Sequence, residues 1–75
     1  MSGLGAFVRA RRETLGLTTT ALGEAAGKSQ TWVSRLEAGR LRLFPDPATL
    51  RALATALDVT PAALLIAAGY LDPEP

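Results

Sequence analysis

Residues 23–39 read GEAAGKSQTWVSRLEAG. The first half, GEAAGKS, has the look of a phosphate-binding loop, and the second half the look of a short helix. A phosphate loop needs the spacing G-x-x-x-x-G-K-[ST], which puts its first glycine at position 22 when counted back from Gly27. Position 22 is Leu22, and the available glycine, Gly23, comes one residue late. The motif also needs a buried strand before it and a parallel sheet around it. Here TTTAL precedes it, polar and capped like a helix start, in a chain too short for such a sheet.

The same residues make a joint between two crossed helices. Gly23 and Ala26 are small enough for a steep crossing, and Gly27 supplies the left-handed conformation that ends one helix. Ser29 is a good N-cap for the next, with Val33 and Leu36 as its apolar anchors.

Outward from this joint, the spacing gives five helices and no strand. The first is LGAFVRARRETLG, with Leu4, Phe7, Val8 and Leu15 at helical intervals and Gly16 as its stop. The second starts at Thr18 and turns Leu22 and Ala26 inward. The third runs from Ser29 to about Ala38. RLRLFPDP then reads as a loop whose leucines and Phe44 fold back onto the core, since its strand-like alternation has no partner. Asp46-Pro47 opens a fourth helix carrying Leu50, Leu53, Ala54 and Leu57. Thr60-Pro61 opens a fifth, carrying Leu64, Leu65 and Ala68, which Gly69 closes. The expected unit is one all-α domain over 1–75, with its core at about 4–71 and a frayed tail at 72–75.

The composition narrows the chemistry. The 75 residues contain no cysteine and no histidine, and 48% of them are hydrophobic. Without those two residue types there is no thiolate or imidazole metal site, and no nucleophile stands beside a base. The acids are scattered singly. The expectation is therefore no enzyme, no cofactor and no metal. No apolar run could span a bilayer, and the first residues lack a secretory apolar region, so the expected location is cytoplasmic. Net charge is only +1. Residues 1–45, however, carry seven basic and three acidic side chains, a balance of +4, whereas 46–75 carry one and four, a balance of −3. A basic side and an acidic side suit a protein that orients on a polyanion, although a solvated charge scatter would look similar.

The third helix sharpens that choice. Residues on a helix turn by about 100° each. With Val33 at 0°, Leu36 and Ser29 lie at about 300° and 320° and define the buried side. Gln30, Ser34, Thr31 and Arg35 follow at about 60°, 100°, 160° and 200°, one contiguous polar face. Gln pairs with adenine, Arg with guanine, and Ser or Thr with several base edges in the DNA major groove. Any one of them alone suits an ordinary solvated surface. Together, at a helix start in the basic half of the chain, they point to groove reading. Trp32 stands at the boundary of this face. It can pack against Leu41, Leu43 or Phe44, the favoured reading, or touch the rim of the groove.

GLTTTALGEAAGKSQTWVSRLEAGR, followed by PATLRALATALDVTPAALL, resembles the helix-turn-helix domains of the lambda repressor/Cro type, also called the xenobiotic-response-element family. The likeness runs from about Leu4 to Leu71. It rests on Gly23, Gly27, Val33, Leu36, Glu37 and Gly39, then on L-x-x-L-A-x-x-L at 50–57 and V-x-P-x-x-L at 59–64.

This resemblance implies a five-helix fold whose second and third helices bind double-stranded DNA, in a transcriptional regulator read as a repressor. It implies base contacts from Gln30, Thr31, Ser34 and Arg35. Arg40 and Arg42 correspond to backbone contacts, joined by Thr19, Lys28 and Ser29. It implies a structural ion pair between Arg12 and Glu37. A homodimer on a pseudo-palindromic operator is expected, with Tyr70 and Leu71 at the dimer surface. Two positions depart from the family pattern. Thr19 replaces a glutamine, so its hydroxyl should reach phosphate but brace Gln30 less far. Lys28 replaces a Val or Ile and should exchange turn packing for a phosphate contact. Domains of this fold also serve as antitoxins or adaptors; an antitoxin would keep DNA binding and add a partner surface, whereas a pure adaptor would not need the polar face of the third helix.

Overall fold

The structure is a computed structural model and describes residues 2–73. Helices α1 (Ser2–Thr14), α2 (Thr19–Ala26), α3 (Gln30–Glu37), α4 (Pro47–Leu57) and α5 (Pro61–Ala67) account for its regular structure, with no strand among the described residues. No single helix there is long and apolar enough to cross a membrane.

The helix starts are built by side chains. Thr18, Ser29, Asp46 and Thr60 each stand in extended backbone before a helix and accept a hydrogen bond from the backbone N–H three residues on. Each cap satisfies an amide that has no partner inside its helix, worth about 1 kcal/mol. Pro47 and Pro61 occupy first-turn positions, where the missing N–H costs nothing.

Each helix contributes to one core. Leu4 and Val8 come from α1, Leu22 and Ala26 from α2, and Val33 and Leu36 from α3. Leu50, Leu53, Ala54 and Leu57 come from α4 and Leu64 from α5. A fully buried leucine contributes about 1.5–3 kcal/mol, so the α4 stripe is the strongest single anchor. α2 packs on both α3 and α4, while α1 packs on α3 and α5. The short α3 is thus held from two sides, and its third side is left to solvent.

Two expected core residues lie elsewhere. Leu15 is 40% exposed. α1 ends at Thr14 and the chain then turns through Gly16 at φ +71°, which takes Leu15 off the inner stripe. Leu43 is 83% exposed. The chain bends at Arg42–Leu43, and Leu41 and Phe44 take the inward places instead. The expected fraying concerns 72–75, of which 74 and 75 lie outside the described residues.

Candidate nucleic-acid interface

The joint between α2 and α3 sets the geometry of the site. Gly27 adopts φ +69°, and Lys28 N–H donates to the Gly23 carbonyl at 2.7 Å, closing the end of α2 within one residue. A Cβ on Gly23 would stand 2.8 Å from the Lys28 carbonyl oxygen and 3.0 Å from that of Ser29. Only a residue without one lets the chain double back so closely. Ser29 then caps α3 through its hydroxyl, which accepts from Trp32 N–H at 3.0 Å.

Behind α3, an ion pair and a second glycine fix its height. Arg12 Nε donates to Glu37 Oε2 at 2.6 Å and Arg12 Nη2 to Glu37 Oε1 at 3.0 Å. The third arm, Arg12 Nη1, donates to the Leu17 carbonyl at 2.9 Å. The side chains are only 13% and 9% exposed. Glu37's hydrogen bond, and then its charge, raise the pKa of Arg12 against the opposing effect of burial. This is the pair expected from the sequence. Gly5 was not singled out there. Its position would bring a Cβ within 2.5 Å of the Glu37 carbonyl oxygen and 2.6 Å of that of Leu36. α1 and the end of α3 therefore touch through backbone. Arg11, also missed, donates through Nε and Nη2 to the Leu57 carbonyl at 3.1 and 2.9 Å and ties α1 to the end of α4. A contact between residues 46 apart leaves no mark on local spacing.

On the solvent side of α3, Gln30, Thr31, Ser34 and Arg35 are all exposed, while Val33 and Leu36 are buried beneath them. Gln30 Nε2 donates to Thr19 Oγ1 at 3.2 Å and to Ser34 Oγ at 2.9 Å. The shorter Thr19 side chain, expected to brace Gln30 less far than a glutamine, is within hydrogen-bond distance of it. The α2–α3 turn is tight enough for a hydroxyl to do the bracing, because Gln30 supplies the reach. Ser34, four residues on along the same face, closes the set.

Lys28 and Ser29 lie exposed at the turn, and Arg40 and Arg42 lie exposed just after α3. The ion pairs among the described residues are Arg9–Glu13 and Arg12–Glu37. Lys28, Arg35, Arg40 and Arg42 belong to neither pair. The Lys28 ammonium stands 5.6 Å from the centre of the Trp32 ring, a cation–π arrangement. Trp32 is half-buried and packs on the core. Together with Lys28, Leu43, Phe44, Pro45, Asp46 and Thr49 it lines an open concavity of about 240 Å³. Packing is therefore its main occupation. Among the described residues, no group of three or more carboxylates could hold a metal ion.

Comparison with known proteins bears on this arrangement. The family model described as a helix-turn-helix domain matches residues 3–65. The chain is 39% identical over 72 residues to the HTH-type transcriptional repressor RghR of Bacillus subtilis, which covers 96% of the chain and 53% of that protein. It is 35% identical over 69 residues to the uncharacterized HTH-type transcriptional regulator Rv0474 of Mycobacterium tuberculosis, covering 92% and 48%. It spans about half the length of these curated relatives. Among solved structures, the clp gene regulator ClgR from Corynebacterium glutamicum superposes with a TM-score of 0.76 at 36% identity, covering 91% of this chain and 71% of that one. The P22 c2 repressor in complex with a synthetic operator superposes with a TM-score of 0.74 at 34% identity, covering 81% and 89%.

Proposed function

Because this chain belongs to the helix-turn-helix domain family, we propose that it binds double-stranded DNA as the reading unit of a transcriptional repressor, with α3 in the major groove. The observation that carries this reading is the outer face of α3. Four hydrogen-bonding side chains, Gln30, Thr31, Ser34 and Arg35, stand exposed over a helix anchored from behind by Val33, Leu36 and the Arg12–Glu37 pair. A major groove about 12 Å wide admits such a helix.

The division of labour follows from chemistry. Gln30, Thr31, Ser34 and Arg35 reach base edges. Thr19, Lys28, Ser29, Arg40 and Arg42 flank them and contact phosphate, which supplies affinity but no sequence choice. Trp32 contributes mainly by holding the start of α3, with Lys28 poised over its ring at the groove rim. The similarity to a repressor solved with its operator supports this orientation. One helix reads only a few base pairs, so the active form is a homodimer on a pseudo-palindromic operator with half-sites about one helical turn apart. Tyr70, 64% exposed, and Leu71 offer an apolar surface for that pairing. A repressor of this kind works in the cytoplasm, on chromosomal DNA.

Binding to random-sequence duplex, followed by fluorescence anisotropy at two salt concentrations, tests the proposal. Displacement of about six phosphate counterions by the homodimer, from Lys28, Arg40 and Arg42 of each chain, predicts an affinity that falls by roughly three orders of magnitude between 50 and 200 mM salt. Failure to bind at the lower salt, with the chain folded, overturns it.

A further inference from the structure

Gln30 is the residue of the α3 face whose hydrogen-bonding capacity is already partly spent. A glutamine amide has two N–H donors and one acceptor oxygen. Both donors are committed, one to Thr19 Oγ1 at 3.2 Å and one to Ser34 Oγ at 2.9 Å. Oε1 alone is left. Bidentate pairing of glutamine with adenine needs an N–H for the base N7 as well as Oε1 for the base amino group. Here the N–H would have to leave a hydroxyl to reach N7. That exchanges one hydrogen bond for another of similar strength, so the second arm of the pair gains almost nothing.

We infer that Gln30 reads its base through Oε1 alone, accepting from an exocyclic amino group, and that its position in each half-site takes adenine and cytosine alike. This rests on the proposal that α3 enters the major groove. In that groove adenine offers its N6 amino group and cytosine its N4 amino group. Guanine and thymine offer only acceptors, which would leave Oε1 facing another lone pair. Thr19 and Ser34 act as positioning residues: they fix which end of the amide faces the base. This pair of braces is particular to the residues here. It needs a hydroxyl at the first position of α2 and another one turn along α3.

Selection of bound duplexes from a random pool tests this with three chains: the unaltered one, Gln30→Ala, and the double variant Thr19→Val with Ser34→Ala. Neither braced position lies in the core, and a thermal melt of each variant checks that it is folded. The unaltered chain should enrich one position for adenine and cytosine within about threefold of each other, with guanine and thymine disfavoured by about tenfold. Replacing adenine there by 7-deazaadenine, which keeps the amino group and lacks N7, should change Kd by less than about twofold. In the double variant the amide is free to turn. Adenine should then exceed cytosine by about tenfold, and 7-deazaadenine should lose that gain.

Adenine strongly preferred by the unaltered chain, with sensitivity to 7-deazaadenine, overturns the inference in favour of bidentate pairing. Enriched guanine or thymine overturns it in favour of the opposite amide orientation. Equal preferences in the unaltered chain and the double variant remove the role of the braces. If Gln30→Ala leaves every position unchanged while a motif is still enriched, Gln30 does not read DNA, but the regulator reading stands. If no sequence is enriched at all, that underlying reading falls together with this one. Should the double variant unfold, Ser34→Ala alone and the 7-deazaadenine measurement on the unaltered chain decide the matter.

Discussion

Arg12 of α1 and Glu37 of α3 close on each other as a two-pronged ion pair, at 2.6 and 3.0 Å, with the remaining arm of Arg12 on the Leu17 carbonyl. The pair joins the first helix to the last turn of α3. Breaking it from one side leaves the other charge nearly buried with no counterpart. Arg12→Ala or Glu37→Ala should each cost about 3 kcal/mol in urea unfolding. The double replacement Arg12→Met with Glu37→Leu should cost clearly less than either single change, because it leaves no orphan charge. A small domain has roughly 5–15 kcal/mol in total, so the single variants should also melt well below the parent chain. Equal losses for single and double variants would mean that the pair is worth its full attraction.

Asp46, the cap of α4, links stability to pH. Its carboxyl sits below the ordinary carboxylate range because Thr49 stabilises the ionised form, first through its side chain and then through its backbone N–H at 2.9 Å. A carboxyl lowered in the folded state contributes stability above its ordinary pKa and loses it as pH falls through the lowered value. The chain should therefore lose thermal stability progressively as pH falls from about 5 through the ordinary aspartate range, near about 4, and below it. Asp46→Asn retains a capping oxygen and should flatten part of that slope while remaining folded. Melting curves across this range compare the two.

Two glycines should fail for different reasons when replaced. Gly5→Ala puts a methyl group 2.5 Å from the Glu37 carbonyl oxygen, a backbone atom that cannot swing aside. Overpacking of this kind costs about 1–3 kcal/mol. It should also shift α3 relative to α1, visible as amide shift changes spreading along α3. Gly27→Ala meets no atom within 4 Å, yet stands at φ +69°. Its cost, about 1–2 kcal/mol, is conformational. Its amide changes should stay local to the turn.

The α3 face should separate sequence choice from affinity. Arg35→Ala should cost about 1–3 kcal/mol at the preferred site and relax the choice of base there. Arg40→Ala should weaken binding uniformly across sequences and reduce the salt slope by about 1. Titrations on the selected site and on random duplex, each at several salt concentrations, separate these outcomes. A uniform loss for Arg35→Ala would move it from the base-reading set to the phosphate set.

Much of this architecture was legible from local chemistry. Thr18, Ser29, Asp46 and Thr60 announce helix starts because a short polar side chain satisfies an orphan amide within its own few residues. Gly27 marks the turn because its backbone conformation is a local demand. The buried faces of α3 and α4 follow from period alone, and so does the exposure of Gln30, Thr31, Ser34 and Arg35.

Tertiary structure decided what depends on where other helices stand. Leu15 and Leu43 have the right residue type for the core, but the turn at Gly16 and the bend at Arg42–Leu43 point them outward. Nothing in the stretch around Gly5 demands a glycine; that demand comes from α3 lying against it. Thr19 has less reach than a glutamine, and the closeness of α2 to α3 is what brings its hydroxyl within 3.2 Å of Gln30. Periodicity specifies which way a side chain faces on its own helix. The distance between side chains on different helices is set by how the whole core packs, and no local stretch contains that information.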